Sequence, residues 1–420
     1  MEVIQLLPGV TLRFFRDTRF KQGALSLQFL RPMCREESAL NALLPAVLLR
    51  GTENYPDLRA ITLHLDDLYG AAVGALVRRI GDYQTTGLYC GFMEDTFALP
   101  GEEILRPMVD FLEELLLRPV LEKGAFSADF VESEKKNLIS TIQAEKNDKR
   151  IYASAQLLKT MCRADSFGLP RLGTAQDAEA ITPEALYRHY LTVLETSHLE
   201  IFYVGSGEPQ MLADLLREKF FKIGGNIQLL PPQTPFHPCE KCEKVEEMDL
   251  TQAKLCLGFL TPITNGSEDF AAMQVLNTAF GSGMTSKLFM TVREKMSLCY
   301  AISSSYYGAK GILTVSAGID TEKESTVREE IFRQLDACRA GDITKEELEA
   351  AKEAILSSLR TVHDSPGAIE NYYSTAALSG MKMTPEAYIQ AVRETTLEQV
   401  VEVANTLHLH SVYFLKGVQA

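Results

Sequence analysis

Apolar and polar positions along this chain fall into two spacings that alternate in a fixed order, and the order occurs twice. Residues 23–32, GALSLQFLRP, read as an alternating strand that breaks at proline, and residues 253–262, AKLCLGFLTP, repeat it. After each comes a helix-like run and then a strand pair: 68–91 (LYGAAVGALVRRIGDYQTTGLYCG) is echoed by 298–318 (LCYAISSSYYGAKGILTVSAG). Each half then has a long charged helix, 127–146 and 344–359, with apolar residues at helical spacing. A final strand closes each half, at 198–205 (HLEIFYVG) and 410–417 (HSVYFLKG). Helices opening at Thr182-Pro183-Glu184 and Thr395-Thr396-Leu397-Glu398 precede these strands.

Four landmarks in one order, each set filling about 200 residues, predict an internal duplication. The expected fold is α+β, with two homologous domains, each a mixed, largely antiparallel sheet packed with helices. Residues 224–246 are rich in Gly, Pro and charge and read as a linker. The expected division is therefore 1–224, a linker at 225–246, and 247–420.

A length of 420 residues suits two domains, and 46% hydrophobic with 23% charged residues is the composition of a globular protein. Fifty-six acidic against 42 basic residues, net −14, repel nucleic-acid phosphates and anionic membranes, so neither is expected as a partner. Glu2 stands where an export signal carries basic residues, and no run is apolar enough for export or for spanning a bilayer, so a cytoplasmic location is expected. Eight scattered cysteines, several within apolar runs, fit reduced, buried thiols.

Residues 39–56, ALNALLPAVLLRGTENYP, resemble the active-site helix of the pitrilysin/insulinase type of zinc metallopeptidase, which includes mitochondrial processing peptidase. There an inverted zinc motif, H-x-x-E-H, precedes an apolar stretch, Gly-Thr and an aromatic-Pro pair. The correspondence is specific at Gly51, Thr52, Tyr55 and Pro56. Residues 280–300, FGSGMTSKLFMTVREKMSLCY, are similar to that family's second-domain stretch, where a helix ends in Arg-Glu-Lys before a short loop and a Tyr. The resemblance implies two domains closing in a clam-like manner around a peptide chamber.

Counting back from Gly51, the two histidine positions fall on Ala42 and Ala46, and the glutamate that would activate water falls on Pro45. A methyl group offers zinc no lone pair, and proline offers no carboxylate to take a proton. Pro45 is also expected to start or kink the helix. By local pattern Glu134 matches the family's outer acid, which places Thr141 at the third ligand. No metal or other cofactor is therefore expected, and the chain reads as an inactive member. Three other groupings have spacings that invite chemistry. His64-x-x-Asp67 would put a His and a carboxylate on one helix face, against a solvated or capping pair. His237-Pro238-Cys239-x-x-Cys242 has a spacing that zinc or a redox couple accepts, against reduced linker thiols. Gly281-Ser282-Gly283 lacks the phosphate-loop spacing and reads as tight-turn glycines.

The resemblance assigns peptide binding to Arg293 and Tyr300, whose donors suit a peptide backbone. The plainer alternative is an exposed Arg–Glu ion pair and a strand-buried Tyr. The resemblance also implies strand addition of a peptide near residues 71–78, where Arg78 and Arg79 could face the chamber, against the plainer reading as edge charges that discourage aggregation. The expected role is the non-catalytic half of a two-subunit peptidase, its partner a zinc-bearing homologous subunit, with a homodimer possible when that partner is missing. The competing readings are a scaffold without peptide binding and an active peptidase with an atypical metal site.

Overall fold

The computed structural model describes residues 1–231, 233, 234, 236 and 239–417. The first sheet uses β1 (Glu2–Leu7), β2 (Val10–Arg16), β3 (Gln22–Pro32), β4 (Ala72–Ile80), β5 (Tyr83–Met93) and, after a short hairpin of β6 (Leu121–Glu122) and β7 (Ala125–Phe126), β8 (His198–Gly205). Its order is β1-β2-β8-β3-β5-β4, with β2 and β8 parallel and every other pair antiparallel. The second sheet uses β9 (Cys242–Met248), β10 (Ala253–Leu260), β11 (Cys299–Tyr307), β12 (Ile312–Ile319) and β13 (His408–Gly417), in the order β11-β12-β10-β13-β9. Here β9 and β13 are the parallel pair. Without β1, the two sheets have the same strand order and the same pairing senses, which is the duplication seen in the sequence.

The helices follow the same repeat. The first half carries α1 (Arg35–Leu48), α2 (Leu58–Asp67), α3 (Leu105–Leu117), α4 (Ala128–Asn147), α5 (Lys149–Met161), α6 (Ala175–Glu179), α7 (Pro183–Thr196) and α8 (Pro209–Phe220). The second carries α9 (Phe270–Asn277), wide-turned helical segments at Thr278–Ser282 and Leu288–Lys295, then α10 (Glu324–Arg339), α11 (Lys345–Arg360), α12 (Pro366–Ser379), α13 (Pro385–Glu394) and α14 (Leu397–Asn405). The expected starts at Thr182 and Thr396 are N-caps whose hydroxyls accept main-chain N–H bonds. Among the described residues no helix is long and apolar enough to cross a membrane.

The two compact units are not contiguous in sequence. One comprises Met1–Gln143, Pro170–Pro232 and His363–Thr375, the other Ala144–Leu169, Gln233–Val362 and Ala376–Ala420. This differs from the linear division expected above, because each unit includes a helix from the other half of the chain. In the second unit, α5 buries Ala153 and Leu157 against Cys256, Tyr413 and Leu415. In the first, α12 buries Ile369 against Ala24 and Val204. The expected linker is shorter too, since residues 242–246 belong to β9, whose charged sequence hides it from a search for apolar runs.

Strand β3 shows how the first unit uses both faces of its sheet. Leu25, Leu27 and Phe29 enter the main core, while Ser26 and Gln28 face α12. There the fully buried Glu370 accepts Ser26 Oγ at 2.7 Å, Gln28 Nε2 at 3.0 Å and both terminal nitrogens of Arg78 at 3.0 and 2.9 Å. Arg78 also donates to Ser374 at 2.9 Å. Arg78 is therefore a structural ion-pair partner and not the free edge charge expected from the sequence. Removing one partner of such a pair strands the other, at a cost of about 3 kcal/mol or more. Glu370→Ala is expected to lower the stability of the first unit by that amount, measured as a reduced urea midpoint. Arg78→Met with Glu370→Leu should recover much of it.

Candidate functional site

The degenerate motif lies on α1. Ala42 and Pro45 are buried, and Ala46 is partly exposed. The helix runs from Arg35 through Pro45 to Leu48, so it does not start at the proline. Pro45 has no N–H to give the carbonyl of Asn41, four residues back. Thr86 on β5 supplies the missing donor, its hydroxyl bonding Asn41 O at 2.7 Å. Asn41 is fixed from its side chain as well, donating to Gln84 Oε1 at 2.9 Å and accepting His189 Nε2 at 2.7 Å. His189 is thus a neutral donor, and burial pushes its pKa down to about 4. Pro45 itself lines a small apolar cavity with Leu44, Leu48, Tyr190 and Val193. These positions contain no group able to bind zinc or accept a proton, so the residues do not fit a zinc centre.

The neighbouring signature residues are structural. A Cβ on Gly51 would lie 2.5 Å from the carbonyl oxygen of Pro56, so the close turn requires glycine. Buried Thr52 donates to Glu114 at 2.6 Å and accepts the N–H of Tyr55 at 3.0 Å, while Asn54 reaches Glu114 through N–H and side chain. Burial works to raise the Glu114 pKa, but the bonds from Thr52 and Asn54 outweigh it and hold the group ionised. Glu134 pairs with Arg50 at 3.1 Å. Thr141 is exposed on α4, its hydroxyl turned back to Asn137 O at 2.9 Å.

Of the alternative groupings, His64 stacks on Tyr55 at 4.4 Å and lies 4.9 Å from Phe111. Burial lowers its pKa, and it serves as an aromatic brace. Cys239 Sγ donates to Met161 O at 3.1 Å, Cys242 opens β9, and His237 lies outside the described residues. Among the described residues no three His, Cys, Asp or Glu side chains form a metal-binding group. Gly281 is not a tight-turn residue. It lies in the wide helical turn where a Cβ would meet Ser304 Oγ at 2.7 Å, so it permits close approach to β11.

Arg293 and Tyr300 do come together. They line one open cleft in the second unit with Glu294, Ser297, Leu298, Cys299 and Lys323. Arg293, at the end of the wide-turned helix, lies 4.6 Å over the Phe289 ring and 3.6 Å from Glu294, with 41% of its side chain exposed. Ser297 ends this helix at φ +50°, a left-handed conformation that non-glycine residues rarely adopt. The register of β11 against β12 then slips between Cys299 and Ala301, leaving Tyr300 as the extra residue of a bulge. Tyr300 is 61% exposed, not strand-buried, and its hydroxyl donates to Asp320 at 3.1 Å. Asp320 in turn binds Lys323 at 2.7 Å. Cys299 forms the floor, its thiol pushed up to about 11 by burial despite the nearby Arg293 and Lys323. The bulge and the Asp320–Lys323 pair escaped sequence reasoning, since neither changes the apolar pattern.

A duplicated α+β scaffold that has an apolar helix at its zinc-binding positions defines a class of protein, the catalytically silent metallopeptidase homologue. The family description "Peptidase M16 inactive domain" matches residues 180–355. The chain is 30% identical over 413 residues to the "Probable inactive metalloprotease YmfF" of Bacillus subtilis (strain 168), covering 98% of this chain and 96% of that protein. A conserved protein from Enterococcus faecalis V583 superposes with a TM-score of 0.92 at 28% identity, covering 100% and 99% of the two chains. A peptidase M16 inactive domain from Pseudomonas fluorescens superposes at 0.81 with 18% identity, covering 100% and 98%. The chain belongs to the M16, or pitrilysin/insulinase, peptidase family and is an inactive member lacking H-x-x-E-H.

Two outcomes follow for the α1 network. Thr86→Val leaves the Asn41 carbonyl buried without a donor and should cost about 1–3 kcal/mol, read by chemical denaturation. The depressed pKa of His189 means that the unfolded chain takes up its proton near the ordinary value of 6.5, and the folded chain only near 4. The stability from neutral His189 is therefore complete above about 6.5, falls as pH drops, and is fully lost below about 4. That loss is about 3 kcal/mol. Stability–pH curves of the wild type and His189→Gln should converge across that window, with the wild type showing the steeper fall.

Proposed function

We propose that this protein is the non-catalytic, peptide-positioning subunit of a two-subunit zinc peptidase, working with a homologous partner that carries the H-x-x-E-H motif. The observation that carries this reading is the open cleft that Arg293 and the bulged, exposed Tyr300 both line. Arg293 offers a planar fork of donors, and Tyr300 offers a ring with one hydroxyl. The guanidinium suits carbonyls of an extended chain, and the Tyr300 ring gives that chain an apolar face to lie on while Asp320 holds its hydroxyl. The outer edge of β4 has small residues at Ala72, Gly74 and Ala75 and gives an extended backbone room to add a strand. Buried free thiols at Cys90, Cys256 and Cys338 suit a reducing compartment such as the cytoplasm.

The test is reconstitution. The chain purified without chelator should hold much less than one zinc per molecule and leave an unstructured peptide intact. Addition of a zinc-bearing homologue from the same genome should produce cleavage. Arg293→Ala should then lower kcat/KM by about tenfold to a hundredfold, the worth of one or two charge-assisted hydrogen bonds. Stoichiometric zinc and cleavage by the isolated chain would sink the proposal. A partner whose activity ignores this chain would favour a scaffold.

A further inference from the structure

We infer that the loop joining β5 to α3 in the first unit, with Phe97 and Leu99 at its surface, is the docking knob for the partner subunit, which would receive it in an apolar groove rimmed by Lys or Arg. The inference rests on the two-subunit reading above, and it adds the surface of this chain through which the partner is held.

The duplication shows how little chain the scaffold needs at this place. In the second unit the corresponding connection, from β12 to α10, is residues 320–323 alone, Asp-Thr-Glu-Lys, with no large apolar side chain. In the first unit residues 94–104 make the connection, and they leave Leu99 63% and Phe97 43% exposed. Side chains of that size left in water gain the fold nothing.

The longer loop is nevertheless tied down along its length. Glu94, at its start, is buried and accepts the N–H of Ser206 at 2.9 Å. Asp95 accepts the N–H groups of Ile104 at 2.7 Å and Leu105 at 2.9 Å, which joins the two ends of the loop. Leu99-Pro100-Gly101-Glu102 closes as a turn through the Glu102 N–H and the Leu99 carbonyl at 3.0 Å, with proline second and Gly101 at φ +90°, the type II arrangement. Tyr69, itself left-handed at φ +60°, accepts the Leu99 N–H on its hydroxyl at 3.1 Å and donates that hydroxyl to Glu102. Ala98 packs against the core between the two exposed side chains. Apolar groups carried on a backbone already fixed lose little freedom on binding, which is what separates a recognition loop from a slack connection.

Charge decides the occupant. Asp66 and Asp67 precede Tyr69, Glu102 and Glu103 follow Leu99, and all four are exposed. Against them stand Lys21, whose Nζ lies 6.0 Å over the Phe97 ring, and Arg106, 3.7 Å from Glu103. The chain as a whole carries −14. An anionic lipid surface or a second copy of this acidic chain would meet like charge, whereas a partner groove rimmed by Lys or Arg would meet its complement.

The experiment measures binding of the full chain to the zinc-bearing homologue from the same genome, at low and raised salt, for the wild type and for Phe97→Ala, Leu99→Ala, Glu103→Lys and Leu191→Ala. Expected is a Kd about thirtyfold weaker for either loop truncation, the cost of losing one anchor side chain. Both truncations should keep the wild-type urea midpoint, because neither side chain is buried. Glu103→Lys should slow association and flatten its dependence on salt. Leu191→Ala, which removes an exposed leucine of α7, should leave binding as it was. A homologue that binds the wild type and both truncations equally would overturn docking through this loop and leave the two-subunit reading standing. A homologue that does not bind the wild type would overturn both. Self-association of the wild type that Leu99→Ala abolishes would make a second copy the occupant, and the assignment to the partner subunit would fall.

Discussion

The fold of the first unit depends on one buried carboxylate. Glu370 is removed from water entirely, and that is tolerable only because Ser26, Gln28 and both terminal nitrogens of Arg78 turn toward it. Those donors come from β3 and β4, while the carboxylate comes from α12, more than 290 residues later in the chain than Arg78. A sheet whose strands lie between residues 2 and 205 is thus completed by residues 363–375. Loop closure over such a separation costs entropy, which the contacts of the polar seam must offset. The second unit repeats the arrangement with its carboxylate on the strand: Glu246 of β9 accepts Tyr152 of α5 at 2.7 Å and Tyr413 of β13 at 2.8 Å.

The silent motif is as integrated as the seam. Pro45 is not a simple deletion of a base, since its missing N–H is answered by Thr86 and its ring sits in an apolar lining. Asn41, one residue before the first empty histidine position, is held by Gln84 and by neutral His189. Placing a carboxylate at residue 45 would bury a charge among Leu44, Leu48 and Val193, with Thr141 still unable to act as a ligand. Loss of zinc chemistry is thus built into the packing around α1 as well as into the residue types.

Much of this was legible in the sequence because duplication repeats a pattern, and a pattern seen twice discounts chance. Strand positions, the helix starts at Thr182 and Thr396 and the empty motif were readable from spacing and side-chain chemistry. The exchange of α5 and α12 was not, because amphipathic helices advertise an apolar face without saying which sheet will cover it. Strand β9 was missed for the opposite reason: a charged edge strand carries no apolar signal. Arg78 read as an edge charge because its partner lies in a distant segment, and ion pairs leave no periodicity.

The cleft on the second unit shows features that stability does not explain. Tyr300 keeps most of its ring in water and gains one hydrogen bond, to Asp320, where a strand residue of its size would ordinarily be buried. Ser297 holds a left-handed backbone that costs about 1 kcal/mol or more relative to glycine. The bulge at Tyr300 forgoes a ladder position. Each departure is unfavourable alone, and all three fall within four residues on the cleft that Arg293, Cys299 and Tyr300 line. The core gains nothing from strain concentrated around these two exposed side chains, and the proposed recognition role would account for it.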